Sequence, residues 1–147
     1  VVMVPVDEIL ELKGLKFPGG SMKVEHWENW LLTDCTGSAQ LPSNIVHPIA
    51  LFHIPIQGVG TSIAELFALG QVEGAGSVGL EGYDWEYFSL LHEDVEYRFE
   101  GQVIEVERVQ SKSGGVFDRF VFTIELTTTE GDPVAKVTNS WRFWRSR

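Results

Sequence analysis

The sequence predicts an α+β domain in which a curved antiparallel sheet wraps around one apolar helix. The helix is predicted from about Thr61 to Leu69, where Ile63, Leu66 and Phe67 leave almost no polar side. The sheet is predicted from four long runs of β-branched and aromatic residues, at 76–88, 95–108, 116–128 and 134–144. Because a helix that is apolar all round must be buried all round, we expect the strands to enclose it.

Local signals mark where these elements begin and end. Ser62 stands at capping-box spacing from Glu65, and Gly70 follows the apolar run as a C-cap. Turn-forming residues at 112–115 and 130–133 join the last three runs as hairpins. We therefore expect an antiparallel meander, with a bend near Gly101 where the hydrophobic alternation changes phase.

The first half of the chain is mixed. Three apolar residues and Asp34 share one face of a predicted helix, because they stand at positions 27, 30, 31 and 34. Pro48 and Pro55 argue against a regular helix throughout 45–55. The segment 55–60, Pro-Ile-Gln-Gly-Val-Gly, is predicted to be a turn that leads into the apolar helix.

A long apolar helix followed by long strands is the outline of a hotdog fold, and we expect one such domain over residues 1–147. An open sheet leaves an edge strand that must be covered. Hotdog domains cover it by pairing into dimers with a continuous sheet. We therefore expect at least a dimer.

Composition excludes several classes of partner and site. A net charge of −10 repels phosphate backbones, so no nucleic-acid partner is expected. Cys35 is the single cysteine, so no intrachain disulfide forms. No apolar stretch approaches the roughly 20 residues of a membrane span, and the N-terminus lacks a signal-peptide pattern. We expect a soluble, cytoplasmic protein with no membrane partner.

Several stretches carry a resemblance to a known family. Residues 14–34 resemble its opening strand and helix, and Pro55-Ile56-Gln57-Gly58 is similar to its "P-I-x-H-G" entry to the central helix. Residues 83–95, 101–109 and 131–144 resemble its last strands and turns. The family is the MaoC-like hotdog proteins, which include (R)-specific enoyl-CoA hydratases and related acyl dehydratases. The resemblance covers nearly the whole chain and implies hydration or dehydration of an acyl-CoA or acyl-carrier-protein thioester.

The chain departs from this family at the catalytic motif. The enzymes carry "D-x-N-P-x-H", whose Asp and His polarise the water added to the double bond. Asp34 stands where that Asp is expected, but Ala39 replaces the His, and Gln57 replaces the His of the helix entry. The chain therefore also resembles the non-catalytic halves of two-chain dehydratases, which shape the acyl tunnel.

Asp34 and His47 are the candidate acid–base pair. Adding or removing water beside a thioester needs one group for the water proton and one for the Cα proton. Asp34 would need a pKa raised by burial beside Trp30 and Leu31, or else it is a helix-end carboxylate. His47 would replace the missing histidine, whereas His53 would pack in the core or contact substrate.

Substrate binding is assigned to His53 and to the segment Gln57, Gly58, Val59 and Gly60. Backbone N–H groups near Gly58 and Gly60 would hydrogen-bond the thioester carbonyl. The alternative is that these glycines only permit a tight turn and close packing of helix on sheet. Four histidines without ligand spacing predict no metal site. No cofactor is expected, because the thioester itself acidifies the Cα–H.

Three functions remain open at this stage. The chain is an active hydratase homodimer, a non-catalytic subunit that completes the acyl tunnel of a second MaoC-like chain, or a hotdog thioesterase. The thioesterase would need a carboxylate on the central helix, and Glu65 is the candidate.

Overall fold

The computed structural model describes residues 3–72 and 74–146, with only the backbone of residue 75. The strands are β1 Gly20–Lys23, β2 Val78–Tyr87, β3 Glu96–Gln110, β4 Val116–Thr128 and β5 Pro133–Ser146. The α-helices are α1 Val6–Leu10, α2 His26–Cys35, α3 Ile54–Gly58 and α4 Ile63–Leu69, with 3-10 turns at Pro42–Asn44, Pro48–Phe52 and Ala75–Ser77. The four long strands and the helix ending at Leu69 were all predicted.

The five strands form one curved antiparallel sheet in the order β1-β3-β4-β5-β2. The predicted meander is correct for β3, β4 and β5, which pair in sequence. It is wrong for β2, which a meander would place beside β3. That side of β3 is occupied by β1, and β2 pairs with β5 at the opposite edge of the sheet. Strand β2 is therefore an edge strand of ten residues.

The bend of β3 arises from a bulge at Ile104, where the register to β4 shifts. This is three residues beyond the predicted position at Gly101. Gly101 has another role: a Cβ there would lie 2.6 Å from the carbonyl oxygen of Thr123. Glycine thus permits the close approach of β3 and β4 just before the bulge.

The helices cover the concave face of the sheet, but α4 is not the buried element that the sequence predicts. In α4 only Leu66 is buried, and Ile63 is exposed. The core is filled instead by 50–59, where Ile54 and Val59 are fully buried. Pro48 and Pro55 do not prevent helix formation in this segment, because both stand in the first turn of a short helix, where a missing N–H costs no hydrogen bond.

A buried ion cluster fastens the end of α4 to the sheet. Asp118 of β4 is fully buried and accepts from Arg108 at 2.7 and 3.0 Å and from Arg145 at 2.7 Å. Arg145 also donates to the carbonyl oxygen of Gly70, directly after α4. None of the described helices is long and apolar enough to cross a membrane.

Candidate functional site

Helix α2 presents its apolar side to solvent. Trp27 is 59% exposed, Trp30 46% and Leu31 48%, whereas Asn29 and Thr33 are buried. Asp34 is therefore not buried beside Trp30 and Leu31, and it is an exposed carboxylate near the end of the helix, as the second of the two interpretations has it. Asn29 and Thr33 tolerate burial because their side chains are hydrogen-bonded.

Asn29 is the centre of a polar corner formed by His26, Asn29, His47 and Glu93. Its amide nitrogen donates to the Glu93 carboxylate at 2.6 Å and to the Ile45 carbonyl at 3.1 Å. Its oxygen accepts the backbone amide of His47 at 2.9 Å. The nearly buried Glu93 carboxylate also lies 2.8 Å from Nδ1 of His26. Burial raises the pKa of Glu93, but the bonds to Asn29 and His26 outweigh it and hold that pKa below its usual value.

The backbone around this corner is strained. Ser43, Asn44 and Asp94 are non-glycine residues in the left-handed region, with φ of 57°, 56° and 58°. The Asn44 carbonyl accepts the amide of Glu93 at 2.8 Å, so the strained loop and the strained turn are joined. Such conformations cost about 1–3 kcal/mol each and persist only where the surroundings hold them.

His47 caps the 3-10 turn that follows it. Its Nδ1 accepts the amide of Ile49 at 3.1 Å, so in the neutral ring the proton lies on Nε2. His47 is thus a hydrogen-bond donor toward any group that meets Nε2. Its described hydrogen bonds run to Asn29 and Ile49, not to Asp34, which stands five residues after Asn29 and about 140° around α2.

The predicted carbonyl-binding turn at 55–60 is largely helix α3. The amides of Gln57, Val59 and Gly60 donate to the carbonyls of His53, Pro55 and Gln57 at 3.3, 3.0 and 3.0 Å. Gly58 lies against the ring of Phe99, where a Cβ would approach to 2.6 Å. Gly58 therefore has the packing role that the sequence predicts as one of two compatible roles, and carbonyl binding by this segment stays a prediction. His53 is half-buried at the junction of two helices.

The inner side of edge strand β2 forms an open aromatic face. Tyr83, Trp85 and Tyr87 lie directly opposite Asn139, Val137 and Ala135 of β5, so they share the concave face. The helices cover β3, β4 and β5 but leave Trp85 36% and Tyr87 37% exposed. The open aromatic face, defined by these three β2 residues, therefore ends at a strand edge that no other described strand of the chain pairs with.

Two buried polar atoms adjoin this face without a partner among the described residues. They are Oδ1 of Asn139 and Nε1 of Trp141, and each residue is 2% exposed. Burial raises the pKa of the neighbouring Tyr83 hydroxyl, and the indole of Trp141 partly offsets this rise. No acceptor among the described residues meets hydrogen-bond geometry at Nε1 of Trp141. Leaving a buried donor or acceptor unpaired costs about 1–3 kcal/mol.

Two grooves lie elsewhere, on either side of residues 16–18. One of about 690 Å³ adjoins 98–102 of β3, and one of about 420 Å³ adjoins α4. Glu65 lines the second, but its carboxylate accepts from the hydroxyls of Thr61 and Ser62 at 3.3 and 3.1 Å and so completes the cap of α4. Neither groove contains Asp34 or His47. In the described part of the chain, no three His, Cys, Asp or Glu side chains converge as a metal site requires.

Comparison with solved structures shows which fold this is. The ChsH1-ChsH2 complex from Mycobacterium tuberculosis is similar with a TM-score of 0.71 and 12% identity, over 96% of this chain and 91% of that one. The HadBC (3R-hydroxyacyl-ACP dehydratase) complex from the same organism has a TM-score of 0.64 and 11% identity, over 89% and 96%. The chain has a hotdog fold.

A further solved structure shares this architecture with a lower TM-score. A hypothetical thioesterase with coenzyme A from Streptococcus pneumoniae has a TM-score of 0.53 and 17% identity, over 86% of this chain and 79% of that one. No protein-family model and no curated protein matches the sequence. At these identities the likeness concerns the hotdog fold, and the function has to be argued from the site.

The residues that sequence reasoning missed are Asn29, Glu93 and Asn139. The sequence does not indicate that Asn29 is buried, because the apolar residues of α2 favour the opposite face of the helix as the buried one. Asn139 carried a usable signal: it stands in phase with Val137 and Trp141 of β5, and a polar residue at a core position of a strand needs a reason.

Proposed function

We propose that the chain binds the acyl part of a CoA or carrier-protein thioester, as one subunit of a hydratase or dehydratase built from two hotdog chains. In that assembly it forms a wall of the acyl site, and a second MaoC-like chain supplies the acid–base pair. The observation that carries this proposal is the open aromatic face. An apolar surface that ends at an unpaired strand edge is a half-built site, which another chain completes.

The acid–base residues support the same division of labour. Ala39 replaces the histidine of the family motif. Asp34 is exposed, and the described bonds of His47 connect it to Asn29 and Ile49. Two of the similar solved structures are complexes. We infer a heteromer in which the thioester acidifies its own Cα–H, so that no cofactor is needed.

A second candidate is that the chain itself carries out the hydration. The observation in its favour is the fixed tautomer of His47, whose Nε2–H is suited to donate to a thioester carbonyl or a leaving hydroxyl. Asp34 would then act as the base. This function requires Asp34 and His47 to contact the same substrate molecule.

Titration of the purified chain with dodecanoyl-CoA and with free CoA tests the acyl-binding function. The acyl ester should bind at least tenfold more tightly, and Trp85→Ala should remove most of that difference, because burial of an aromatic side chain contributes about 1.5–3 kcal/mol. Trp27→Ala is the matched control, since Trp27 is an exposed tryptophan on α2. Equal affinity for the ester and for free CoA would contradict the proposal.

A further inference from the structure

We propose that the acyl group bound by this chain carries a hydroxyl group far from its thioester, and that Asn139 and Trp141 hold this hydroxyl. The inference rests on the proposed function, because it concerns the acyl group that the open aromatic face would bind. It adds a class of substrate, namely acyl thioesters with a distal hydroxyl.

The two side chains form an unpaired acceptor beside an unpaired donor. Oδ1 of Asn139 and Nε1 of Trp141 have no partner among the described residues, and both residues are buried. They stand two residues apart on β5, so both point to the concave face from Cα atoms about 7 Å apart. Keeping two such atoms unpaired destabilises the fold, which favours a functional reason for them.

These atoms are next to the open aromatic face. Asn139 lies opposite Tyr83 and Trp141 lies opposite Leu80 on the edge strand. The ring of Phe52 packs on Tyr83 at 4.9 Å and is itself exposed. Asn139 therefore lies beside the Tyr83 end of the open aromatic face.

A hydroxyl group matches this pair of atoms. A single hydroxyl donates one hydrogen bond and accepts others, so it can donate to Oδ1 of Asn139 and accept from Nε1–H of Trp141. An alkyl chain would leave both atoms unpaired. A carboxylate only accepts, and it would set its charge against the Asn139 oxygen.

The site is remote from the polar corner. The amides of Phe88 and Ser89 donate to the carbonyl of Val134, and the carbonyl of Leu91 accepts the amide of Val46, next to His47. Val134 therefore marks the end of β5 near His47. Asn139 lies five residues further along the strand, or about 17 Å. For a thioester bound at the polar corner, a hydroxyl held at Asn139 is therefore not the one that hydration adds.

A series of hydroxydodecanoyl-CoA isomers tests the site by calorimetric titration of the full chain. At least one of the 9-, 10-, 11- and 12-hydroxy isomers should bind about tenfold more tightly than dodecanoyl-CoA. Asn139→Leu should abolish that preference. Thr138→Val, its neighbour on the outer face of β5, should retain the preference. If dodecanoyl-CoA binds and no distal isomer is preferred, the hydroxyl site is wrong and the proposed function stands.

Thermal unfolding provides a second, ligand-free test. If Asn139 is kept for a ligand, Asn139→Leu removes an unpaired buried oxygen and should raise Tm by about 2–4 °C. An internal partner or a buried water at Oδ1 would instead make Asn139→Leu lower Tm, which would overturn the site. If none of the acyl-CoAs binds, both the site and the proposed function fall.

Discussion

The side-chain oxygen of Asn29 accepts the backbone amide of His47 at 2.9 Å. Through this bond helix α2 holds the loop that carries His47, while the amide nitrogen of Asn29 holds the carboxylate of Glu93. An asparagine whose oxygen and nitrogen are both used inside the protein has a structural role. The geometry of the polar corner therefore depends on Asn29.

Asn29→Leu should lower the free energy of unfolding by about 2–4 kcal/mol, because the nearly buried Glu93 carboxylate and the His47 amide both lose a partner. Urea denaturation followed by circular dichroism measures this. Cys35→Ser, an exposed position on the same helix, is the control and should stay within about 0.5 kcal/mol. A loss below 1 kcal/mol in Asn29→Leu would show that the corner does not depend on this side chain.

His47→Ala should cost about 0.5–2 kcal/mol, because it removes the acceptor that caps the turn at Pro48–Phe52. His47→Asn should retain most of that stability, since the asparagine oxygen can replace Nδ1. The pair of variants separates capping from chemistry: turnover that survives in His47→Asn would exclude His47 as the proton donor. Equal loss of stability in both variants would contradict the capping role.

Gly58→Ala should destabilise the protein by about 1–3 kcal/mol, because the added Cβ meets the Phe99 ring at 2.6 Å. Gly82→Ala is the control, since a Cβ there has no neighbour within 4 Å. Adding Phe99→Leu to Gly58→Ala should recover part of the loss through non-additivity. Strict additivity of the two substitutions would argue against this contact.

Acid should lower the free energy of unfolding of the protein through Glu81, which lies on the outer face of the sheet. Hydrogen bonds from Arg119, followed by those from Arg142 and Ser140, overcome the effect of burial and lower the pKa of Glu81 to about 2. A depressed carboxyl pKa contributes stability above the unfolded value of 4.5 and loses it as pH falls toward 2. Urea unfolding between pH 6 and pH 2 should show this loss, and Glu81→Gln should reduce it. Glu86→Gln, an exposed change on the same strand, is the matched control.

The sequence predicts the sheet better than the helical layer. Strands β3, β4 and β5 follow from alternation and turn residues, because neighbours in sequence are also neighbours in space. The position of β2 depends on which edge is free, which no local pattern encodes. The sequence does not predict the burial of 50–59, because Pro48 and Pro55 argue against a regular helix there, whereas in the structure they begin short helices.

The site was harder to predict because its residues depend on tertiary hydrogen bonds. The spacing of Trp27, Trp30 and Leu31 defines a helical face but not whether that face is buried. Asn29 decides the orientation through partners that are 16, 18 and 64 residues away. Asp34 and His47 remain predictions for catalysis, to be tested by substitution.

The hydration of an enoyl-CoA, followed by its absorbance, tests the central claim most directly. It should be measured for this chain alone, for a MaoC-like chain with an intact D-x-N-P-x-H motif, and for their equimolar mixture. We expect no turnover by this chain alone and turnover in the mixture above that of the second chain, lowered by Trp85→Ala. Turnover by this chain alone that Asp34→Asn abolishes would contradict the account and assign the chemistry to this chain.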